Sequence, residues 1–448
     1  MATQRQLPPD SHPDYAHGRQ LAQRILRETL AAVDIRHAML RKIQFKNGDL
    51  TIGGQQLPVV RPARVVAFGK AATRMAVTLC EILGGLIEAG VVVTPIEPVR
   101  KIERLQYFTG GHPYPNQGSL DGATAALELV SGLKSDDLVI FLISGGGSAI
   151  FEKPQDSAIT LGDLVAFNRV LVTSDLPIEQ INTLRKHLSA VKGGRLAIAA
   201  SAARQVTIFI SDVPEAMPSM VASGPTMLDE STCEESYSLA ENHGLLEKFP
   251  PRIRNHFQQR TLQETPKPEG HTFPNSSYFC LLSNRDAVEA AKKAAGDLGF
   301  YAEIGSGVWD AGYTEVADAA LESLEQHARM HPGQPICVVV GGEVTCPVTG
   351  PGIGGRNLSF ALYAAEKISG QRRVVLSAAT DGRDGNSPSS GAVADGSTVL
   401  RARALGLDPS RYLKQSDAYH FFRTLGDTIE TGFTENNVRD LRLIMSFE

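Results

Sequence analysis

The segment LVIFLISGGGS at residues 138–148 decides the fold class. Its first six residues are all apolar, and such continuous runs are typical of strands covered on both faces, as in parallel sheets. Three consecutive glycines between two serines follow at once, and glycine permits the tight backbone conformations needed where a buried strand ends. The segment therefore predicts a buried parallel strand that leads directly into a glycine loop.

Strand and helix patterns alternate on both sides of this segment. Strands that alternate with helices of ten or more residues indicate an α/β fold with mostly parallel sheets. We predict strands at 65–68, 91–93, 206–210, 278–282, 336–340 and 374–379, and helices at 15–33, 71–87, 285–298, 314–329, 359–368 and 392–404.

Residues 247–277 differ from the rest of the chain because five prolines lie there among polar and charged residues. We interpret this stretch as a domain connection. A chain of 448 residues is long enough for two or three domains. We predict an N-terminal α/β domain at 1–250, a proline-rich connection at 251–277 and a C-terminal α/β domain at 278–448. Both domains would be Rossmann-like and would flank a central cleft.

Composition argues against several classes of protein. The net charge is −5, and no apolar run approaches the roughly 20 residues of a membrane helix. We therefore expect neither a nucleic-acid nor a membrane partner. The five cysteines are scattered without a Cys-x-x-Cys pair, which argues against a disulfide framework and a zinc site and favours a cytoplasmic location. A small molecule is the expected partner, and a homo-oligomer stays open.

The glycine loop has the composition of an anion site. Successive N–H groups of Gly145, Gly146 and Gly147 can form a concave nest, and the hydroxyls of Ser144 and Ser148 add donors. A flexible turn is the simpler interpretation, but a turn rarely needs three consecutive glycines beside a buried strand. We therefore predict that residues 144–148 bind phosphate or nucleotide.

Lys70 follows the 65–68 strand at the point where a helix is predicted to begin. A cation there opposes the helix dipole, so a phosphate or carboxylate beside it would make the position favourable. The segment is not a Walker A loop, because Arg64 occupies the place of the required first glycine. We predict a catalytic role for Lys70, and a surface lysine is the alternative.

A second glycine-rich loop, GPGIGG at 350–355, precedes Arg356. Its spacing satisfies G-x-G-x-x-G, yet the residues before it include Pro347 and lack a strand pattern, so the match to a dinucleotide fingerprint is weak. We interpret it as a loop that presents a catalytic Arg356, whose planar guanidinium suits phosphate or carboxylate. A structural ion-pair role for Arg356 is the alternative. Phosphate contacts are predicted for Gly352, Gly354 and Gly355.

Acidic residues follow two further predicted strands. Asp381 and Asp384 lie in the turn after the 374–379 strand and are predicted to hold Mg²⁺, which proteins usually bind through one or two carboxylates plus substrate phosphates. Asp-Gly is also a common turn dipeptide, which is the simpler explanation. Asp212 follows the 206–210 strand, and we predict a catalytic role for it as general base or metal ligand.

Basic residues concentrate at 185–195, in contrast to the net negative charge of the chain. Arg185 and Lys192 are seven residues apart and would share a helix face, so we predict that both bind phosphate or nucleotide. A solvated helix face is the alternative. His112 lies in a Gly-Gly-His-Pro loop and is a candidate substrate contact, although a lone loop histidine is more often structural or exposed.

Together these motifs resemble the glycerate 2-kinase family. They run in order from about residue 15 onward, and their number makes the resemblance specific. They include FGKAA (68–72), GHP (111–113), ISGGGSA (143–149), INT with RKHLS (181–189), KGGRLA (192–197), ISDVP (210–214), ASGPT (222–226), GGE (341–343), GGRN (354–357) and TDG with DG (380–385).

The resemblance implies an ATP-dependent enzyme that phosphorylates the 2-hydroxyl of D-glycerate with a divalent cation, expected to be Mg²⁺. The family's catalytic lysine and arginine correspond by motif to Lys70 and Arg356. Substrate contacts are expected from Glu343 and Asn357 in addition to His112. Some members of the family carry an older label as hydroxypyruvate reductases.

The chain departs from the family pattern at residues 215–217, 358–359 and 433–436. Because these residues adjoin presumed substrate loops, the acid could be larger than glycerate, such as tartrate, erythronate or threonate. Two other functions stay open, namely an NAD(P)H-dependent hydroxypyruvate reductase and a non-catalytic protein that binds sugar-acid phosphates.

Overall fold

The computed structural model describes residues 13–58, 61–214, 217–268, 273–306 and 310–447. The chain divides into two compact units. The first unit is Ile35–Leu281, and the second unit combines the residues up to Asp34 with those from Leu282 onward. None of the described helices is long and apolar enough to cross a membrane.

Helix α1 (Pro13–Ala32) belongs to the second unit, and the chain then enters the first unit. The helices of the first unit are α2 (Ile35–Lys42), α3 (Ala72–Leu83), α4 (Gln117–Ser131), α5 (Gly147–Ile150), α6 (Leu161–Val172), α7 (Ile178–Leu188), α8 (Arg195–Ala199), α9 (Cys233–Asn242) and α10 (Pro251–Gln258). Its strands are β1 (Ile43–Lys46), β2 (Asp49–Ile52), β3 (Gln55–Pro58), β4 (Ala63–Phe68), β5 (Ile87–Thr94), β6 (Leu105–Thr109), β7 (Leu138–Ile143), β8 (Arg204–Ile210) and β9 (Ser276–Leu282). Short 3₁₀ helices lie at Gly84–Leu86, Pro218–Ser223 and Leu246–Lys248.

The second unit continues after β9. Its further helices are α11 (Asn284–Asp297), α12 (Tyr313–Met330), α13 (Arg356–Lys367), α14 (Thr398–Ala404), α15 (Pro409–Lys414) and α16 (Ala418–Leu425). Its strands are β10 (Tyr301–Ile304), β11 (Ile336–Val340), β12 (Arg373–Ala379), β13 (Gly391–Asp395), β14 (Thr428–Ile429) and β15 (Asp440–Ser446).

Six strands form the main sheet of the first unit, in the order β6-β5-β4-β7-β8-β9. The pairings from β6 to β8 are all parallel, and Phe68 at the end of β4 lies opposite Ile143 at the end of β7. All six residues of β7 are buried. The predicted buried parallel strand is therefore confirmed. A separate antiparallel sheet joins β1, β2 and β3.

The sheet of the second unit is mixed, with the order β10-β11-β15-β12-β13-β14. Among its described strands, β10 and β11 pair in parallel, and the other four pairings are antiparallel. The α/β class is confirmed, but parallel pairing does not dominate in this sheet as expected. The reason is non-local, because β15 inserts between β11 and β12 and runs antiparallel to both.

The helix predicted at 392–404 is partly wrong because its first residues form strand β13. All residues of β13 are buried, and α14 begins at Thr398. A Cβ atom at Gly391 would overlap the carbonyl oxygen of Ser377 on β12, so the close pairing of these strands requires glycine there. A short apolar run such as AVA fits a buried strand and a buried helix equally well, which explains the error.

The two units also divide the chain differently from the predicted domain boundaries. Helix α1 was expected in the N-terminal domain, but its Ala22, Ile25 and Leu26 share a core with Val374 and Leu376 of β12 in the second unit. The predicted connection at 251–277 belongs to the first unit, since Ile253 and Phe257 of α10 pack in that unit's helical core. The burial of these two apolar residues therefore places the segment in the first unit, although the residues around them are rich in proline.

Candidate functional site

Four loops of the first unit follow strands of its parallel sheet. β4 leads to Lys70, β6 to His112, β7 to the glycine loop at 144–148 and β8 to Asp212. Because the strands are parallel, their carboxyl ends lie at one edge of the sheet, which is where ligands bind in open α/β sheets. Four segments that the sequence singled out separately therefore share one edge.

Lys70 is fixed against the glycine loop by hydrogen bonds between the two segments. The Lys70 N–H donates to the carbonyl oxygen of Gly145 (2.9 Å), and the Ala71 N–H donates to Ser144 Oγ (3.0 Å). Gly69 has a φ of +114°, and a Cβ atom there would overlap Ser144. The close approach of the two loops therefore requires glycine at this position.

The glycine loop leaves its backbone donors available. Within the described ranges of the chain, the N–H groups of Gly145, Gly146 and Gly147 have no hydrogen-bond acceptor. A Cβ atom on Gly146 would lie 3.0 Å from His112 Cδ2 and 3.3 Å from Lys70 Cγ, so both side chains lie beside the loop. Three backbone donors, a lysine and a histidine therefore converge in a region suited to an anion.

Ser148 begins a chain of hydrogen bonds that includes two residues to which the sequence analysis gave no role. Its Oγ lies 2.8 Å from Ser223 Oγ, and Ser223 in turn donates to Asn182 Oδ1 (2.9 Å). Ser223 is fully buried and has a φ of +63°, a conformation that a non-glycine residue rarely adopts. The motifs INT and ASGPT contain these residues and were the available signal.

Asp212 is half-buried after β8, at the same sheet edge as Lys70. The neighbouring Ser211 Oγ donates to the carbonyl oxygen of Val213 (3.1 Å), which shapes the turn. Residues 215 and 216, where the chain departs from the family pattern, lie outside the described residues. The catalytic role of Asp212 stays a prediction.

Arg185 and Lys192 are buried, so the alternative of a solvated helix face is wrong. Lys192 is 0% exposed, and its Nζ pairs with Glu152. Arg185 Nε donates to Asn168 Oδ1 (3.0 Å). Burial lowers the pKa of both cations, and the carboxylate of Glu152 opposes that shift. These internal partners favour a structural role for Lys192 over the predicted phosphate contact.

Arg356 in the second unit is held by two carboxylates. Its Nε donates to Asp440 Oδ2 (2.6 Å), Nη2 donates to Asp440 Oδ1 (3.0 Å), and Nη2 lies 3.1 Å from Glu343 Oε1. Burial alone would lower the pKa of Arg356, but Asp440 and Glu343 outweigh it and raise this pKa. Arg356 therefore forms the ion pairs of the structural alternative, and its catalytic role stays a prediction. The side chain is still 33% exposed and can meet a ligand.

Asp440 is the residue that orients Arg356, and the sequence analysis did not identify it. It is 0% exposed and also accepts from Arg442 Nη2 (2.9 Å). Burial raises the pKa of Asp440, but the two arginines outweigh it and hold this pKa below its usual range. The charged run RDLR at 439–442 was the available signal, but its place beside Arg356 follows from the insertion of β15.

The predicted phosphate contacts of the loop at 350–355 are not supported. The N–H of Gly352 donates to Gln415 O (3.0 Å), that of Ile353 to Asp417 Oδ1 (2.9 Å) and that of Gly354 to Asn386 Oδ1 (2.8 Å). Oxygens of the protein therefore occupy three successive donors. The predicted anion contacts of Gly352 and Gly354 are therefore not supported. The predicted contact of Gly355 is not supported either, because it depended on the same nest of N–H groups.

Asp384 caps helix α13 instead of facing a metal ion. Its Oδ1 accepts from the Asn357 N–H (3.1 Å) and Nδ2 (3.3 Å), and its Oδ2 accepts from the Leu358 N–H (2.8 Å). The residue is 1% exposed, and burial raises its pKa to about 6. Because both oxygens are engaged, the structure does not support the predicted metal ligation by Asp384.

Asn357 and Asp381 complete the comparison with the predicted site. Asn357 is fully buried, and its Oδ1 accepts from Ser377 Oγ (2.6 Å), so its predicted contact with substrate is not supported. Asp381 is half-buried, and its Oδ1 accepts from the Arg383 N–H (3.1 Å). Of the two predicted metal ligands, Asp381 is therefore the one that remains suitable.

A cavity of about 370 Å³ opens beside Arg356. Its wall includes Val344, Val348, Gly355 and Ser416, so apolar side chains and polar groups both line the cavity beside the guanidinium. This combination is typical of small-molecule sites. The second unit thus provides a pocket with one oriented cation, and the first unit provides an anion nest.

Comparison with known proteins identifies the family of the chain. Residues 21–258 match the model described as "Domain of unknown function (DUF4147)", and residues 336–440 match the MOFRL family. The chain is 33% identical to glycerate 2-kinase of Pyrococcus horikoshii, covering 94% of this chain and 96% of that protein. It is 37% identical to D-glycerate 2-kinase of Thermotoga maritima (86% and 92%) and 35% identical to a putative hydroxypyruvate reductase of Agrobacterium vitis (85% and 86%). The crystal structure of glycerate kinase from Thermotoga maritima superimposes with a TM-score of 0.83 at 34% identity, covering 96% and 99% of the two chains.

Proposed function

This chain belongs to the glycerate 2-kinase family, and we propose that it transfers the γ-phosphoryl group of ATP to the 2-hydroxyl of D-glycerate. The observation that carries the proposal is the cluster of unused N–H groups at Gly145–Gly147 beside Lys70. Phosphoryl transfer depends mainly on positioning and on neutralising charge, and this cluster supplies both.

Lys70 and the glycine loop are assigned to the transferring phosphate. The three N–H groups would donate hydrogen bonds to phosphate oxygens in fixed directions, and the ammonium of Lys70 would neutralise charge that develops as the bond between the β- and γ-phosphates breaks. Donors that are oriented before reaction cost little reorganisation, which is why such sites accelerate reactions. The hydrogen bonds that join the Lys70 segment to Gly145 and Ser144 support this assignment because they fix the position of the lysine relative to the loop.

Arg356 is assigned to an anionic group of the substrates, namely a carboxylate or a phosphoryl group. The bidentate pair with Asp440 fixes the plane of its guanidinium, while a third of the side chain stays exposed. An arginine whose guanidinium is already fixed by a carboxylate can bind an anion through its exposed part with little further loss of side-chain entropy. The adjoining cavity has the size expected for a small ligand.

Asp212 is the proposed general base. The 2-hydroxyl oxygen would attack the γ-phosphorus, the hydroxyl proton would pass to the Asp212 carboxylate, and ADP would leave. The location of Asp212 at the same sheet edge as Lys70 supports this role. Position within hydrogen-bond reach of the hydroxyl is what a general base needs first.

Mg²⁺ is proposed as the companion of ATP. The residues partly fit it: Asp381 is half-buried and offers carboxylate oxygen, the ligand type that Mg²⁺ prefers, whereas Asp384 is engaged in capping a helix. One carboxylate together with substrate phosphates is a usual set of ligands for this ion. When bound, the ion would neutralise phosphate charge.

The reductase alternative is not favoured. A dinucleotide fingerprint needs glycines whose N–H groups are open to a pyrophosphate at a strand–helix turn. The one literal match, at 350–355, donates its N–H groups to Gln415, Asp417 and Asn386. Turnover with tartrate, erythronate or threonate tests whether the substrate is a larger hydroxy acid.

The test is ADP release by the full chain with ATP and D-glycerate, tartrate, erythronate or threonate, and NMR assignment of the phosphorylated position. We expect turnover with D-glycerate and a product phosphorylated at the 2-hydroxyl. Lys70→Ala should lose this turnover, and Lys101→Ala, a control at an exposed lysine paired with Glu97, should keep it. No turnover with any acid, together with oxidation of NADH by hydroxypyruvate, would overturn the proposal.

A further inference from the structure

Three residues from distant parts of the sequence meet in the helical part of the first unit. His187 lies near the end of α7, Cys233 is the first residue of α9, and Glu264 follows α10. One ligand atom from each lies within 4.8 Å of the others. Histidine nitrogen, cysteine sulfur and a carboxylate oxygen are the ligands that Zn²⁺ takes in proteins. None of the three was assigned a role above.

The hydrogen bonds of His187 determine which ring nitrogen has a lone pair. Nδ1 lies 2.9 Å from the carbonyl oxygen of Thr183 and 3.0 Å from Ser236 Oγ, a hydroxyl that can accept from Nδ1. Because a carbonyl oxygen only accepts, Nδ1 carries the proton in the neutral ring, and burial lowers the pKa of His187, which favours that neutral ring. Nε2 is then the unprotonated nitrogen. Metal-binding histidines usually have this arrangement, with the far nitrogen donating to a backbone carbonyl.

The Nε2 atom of His187 is buried without a hydrogen bond. His187 is 1% exposed, and Nε2 has no hydrogen-bond partner among the described residues. Glu264 Oε2 lies 3.5 Å away. A buried nitrogen lone pair without a hydrogen-bond donor costs free energy, and a cation bound to Nε2 would remove that cost.

Cys233 and Glu264 are already joined in a way that suits a metal ion. The Cys233 N–H donates to Glu264 Oε1 (2.7 Å), which fixes the carboxylate beside the sulfur. Burial and then the charge of Glu264 raise the pKa of the Cys233 thiol to about 12. A divalent ion reverses this effect, because a coordinating thiol loses its proton.

Lys267 is the cation that now neutralises Glu264, with its Nζ 2.8 Å from Oε2. The same ammonium also donates to the carbonyl oxygen of Ser231 and to Thr265 Oγ1 (2.7 Å). Lys267 therefore keeps two partners if Oε2 turns to a metal ion. The Glu264 side chain is 48% exposed, so it has room to make this exchange.

We infer that His187 Nε2, Cys233 Sγ and a carboxylate oxygen of Glu264 form a Zn²⁺ site, with water as the fourth ligand. Zn²⁺ binding replaces the thiol proton with a zinc–sulfur bond and releases that proton to solvent. Three protein ligands plus water is a known zinc coordination, and the bound ion would cross-link α7, α9 and the segment after α10. The sequence did not indicate the site because its ligands are 46 and 31 residues apart, from 187 to 233 and from 233 to 264.

The test titrates the full chain, first stripped with a chelator, with Zn²⁺ followed by calorimetry and with Co²⁺ followed by absorption. We expect one equivalent of each ion, a thiolate-to-cobalt charge-transfer band, a higher Tm with Zn²⁺, and proton release on binding. Cys233→Ser should abolish the charge-transfer band. Glu264→Gln, at a half-exposed residue that should not impair folding, should weaken Zn²⁺ binding by about tenfold or more.

Cys280→Ser is the matched control, since Cys280 is an exposed cysteine of the same unit outside the cluster. It should keep the charge-transfer band and the affinity of the wild-type chain. Absence of the band in wild-type protein, or its persistence in Cys233→Ser, would overturn the inference. A Zn²⁺ affinity unchanged in Glu264→Gln would remove that residue from the site. All these readouts are independent of kinase turnover.

Discussion

The two glycine-rich loops of this chain have similar compositions and opposite hydrogen-bonding states. In the first unit, the N–H groups of Gly145–Gly147 have no acceptor within the described ranges, and Lys70 lies beside them. In the second unit, the N–H groups at 352–354 donate to Gln415, Asp417 and Asn386. The first loop is therefore available to a phosphate, and the second is packed into its own domain.

This difference shows that glycine content alone does not identify an anion site. In the first loop, glycine is needed because Gly146 has a φ of +79° and a Cβ atom on Gly147 would lie 2.5 Å from Ala222 Cβ. In the second loop, glycine is needed because a side chain at Gly352 would meet residues 415–417. Substitutions in the first region should thus change catalysis, and substitutions in the second should change stability.

The largest effect is expected from Lys70→Ala. If Lys70 acts as one preorganised donor to the transition state, kcat should fall by about 10²–10³, equivalent to roughly 3–4 kcal/mol. Steady-state kinetics with ATP and D-glycerate provide the measurement. Turnover within a factor of two of wild type would remove Lys70 from the mechanism.

Asp384→Asn should change how stability depends on pH. The pKa of Asp384 is raised from 3.8 to about 6, so its contribution to stability is complete below about pH 4 and is lost as the pH rises through about 6. Relative to the Asn variant, the free energy of unfolding of the wild-type chain should fall by about 3 kcal/mol across that pH interval. The figure follows because a pKa difference of one corresponds to about 1.4 kcal/mol. Urea unfolding of both chains across this pH range measures the difference. Parallel stability curves would contradict the assignment.

Gly352→Ala should lower stability by about 1–3 kcal/mol, because the added methyl carbon would lie 2.5 Å from Asp417 Cβ and 2.6 Å from Gln415 O. The kcat of the folded fraction should change little. The matched control is Gly296→Ala in helix α11, where an added Cβ has open space and alanine favours the helix. Thermal unfolding compares the two, and a loss of kcat without a loss of Tm in Gly352→Ala would assign this loop to the site.

Gly146→Ala should have the smallest of these effects, and it should appear in catalysis. Its methyl carbon would lie 3.0–3.3 Å from His112 and Lys70, and its φ of +79° disfavours alanine. We expect kcat/KM for ATP to fall by about tenfold, equivalent to about 1.4 kcal/mol. Gly132→Ala, where nothing lies within 4 Å of the added Cβ, is the control. Equal kinetics in the two variants would argue against a phosphate beside Gly146.

The features that the sequence predicted well depend on local pattern. The six apolar residues of β7 and the glycine loop after it are continuous in the chain, and the parallel sheet around them is confirmed. Lys70 lies beside that loop because β4 and β7 are adjacent parallel strands. The similar apolar patterns of the two strands favour this pairing. Family motifs placed both segments in one kinase family, and the comparisons confirm that membership.

The features that the sequence did not predict depend on non-local pairing. Asp440 orients Arg356 because β15 inserts between β11 and β12, about a hundred residues from β11. Asp384 looked like a metal ligand in its turn, but the fold brings the N-terminus of α13 onto both of its oxygens. Helix α1 joins the second unit through a core that no local pattern of residues 15–33 specifies.

The most direct measurement of the central claim is a crystal structure of the full chain with a non-hydrolysable ATP analogue and Mg²⁺. We predict that phosphate oxygens accept hydrogen bonds from Gly145, Gly146 and Gly147 and lie near Lys70 Nζ, while the N–H groups at 352–354 keep their protein partners. Phosphates bound to the loop at 350–355, with the loop at 144–148 empty, would contradict the account.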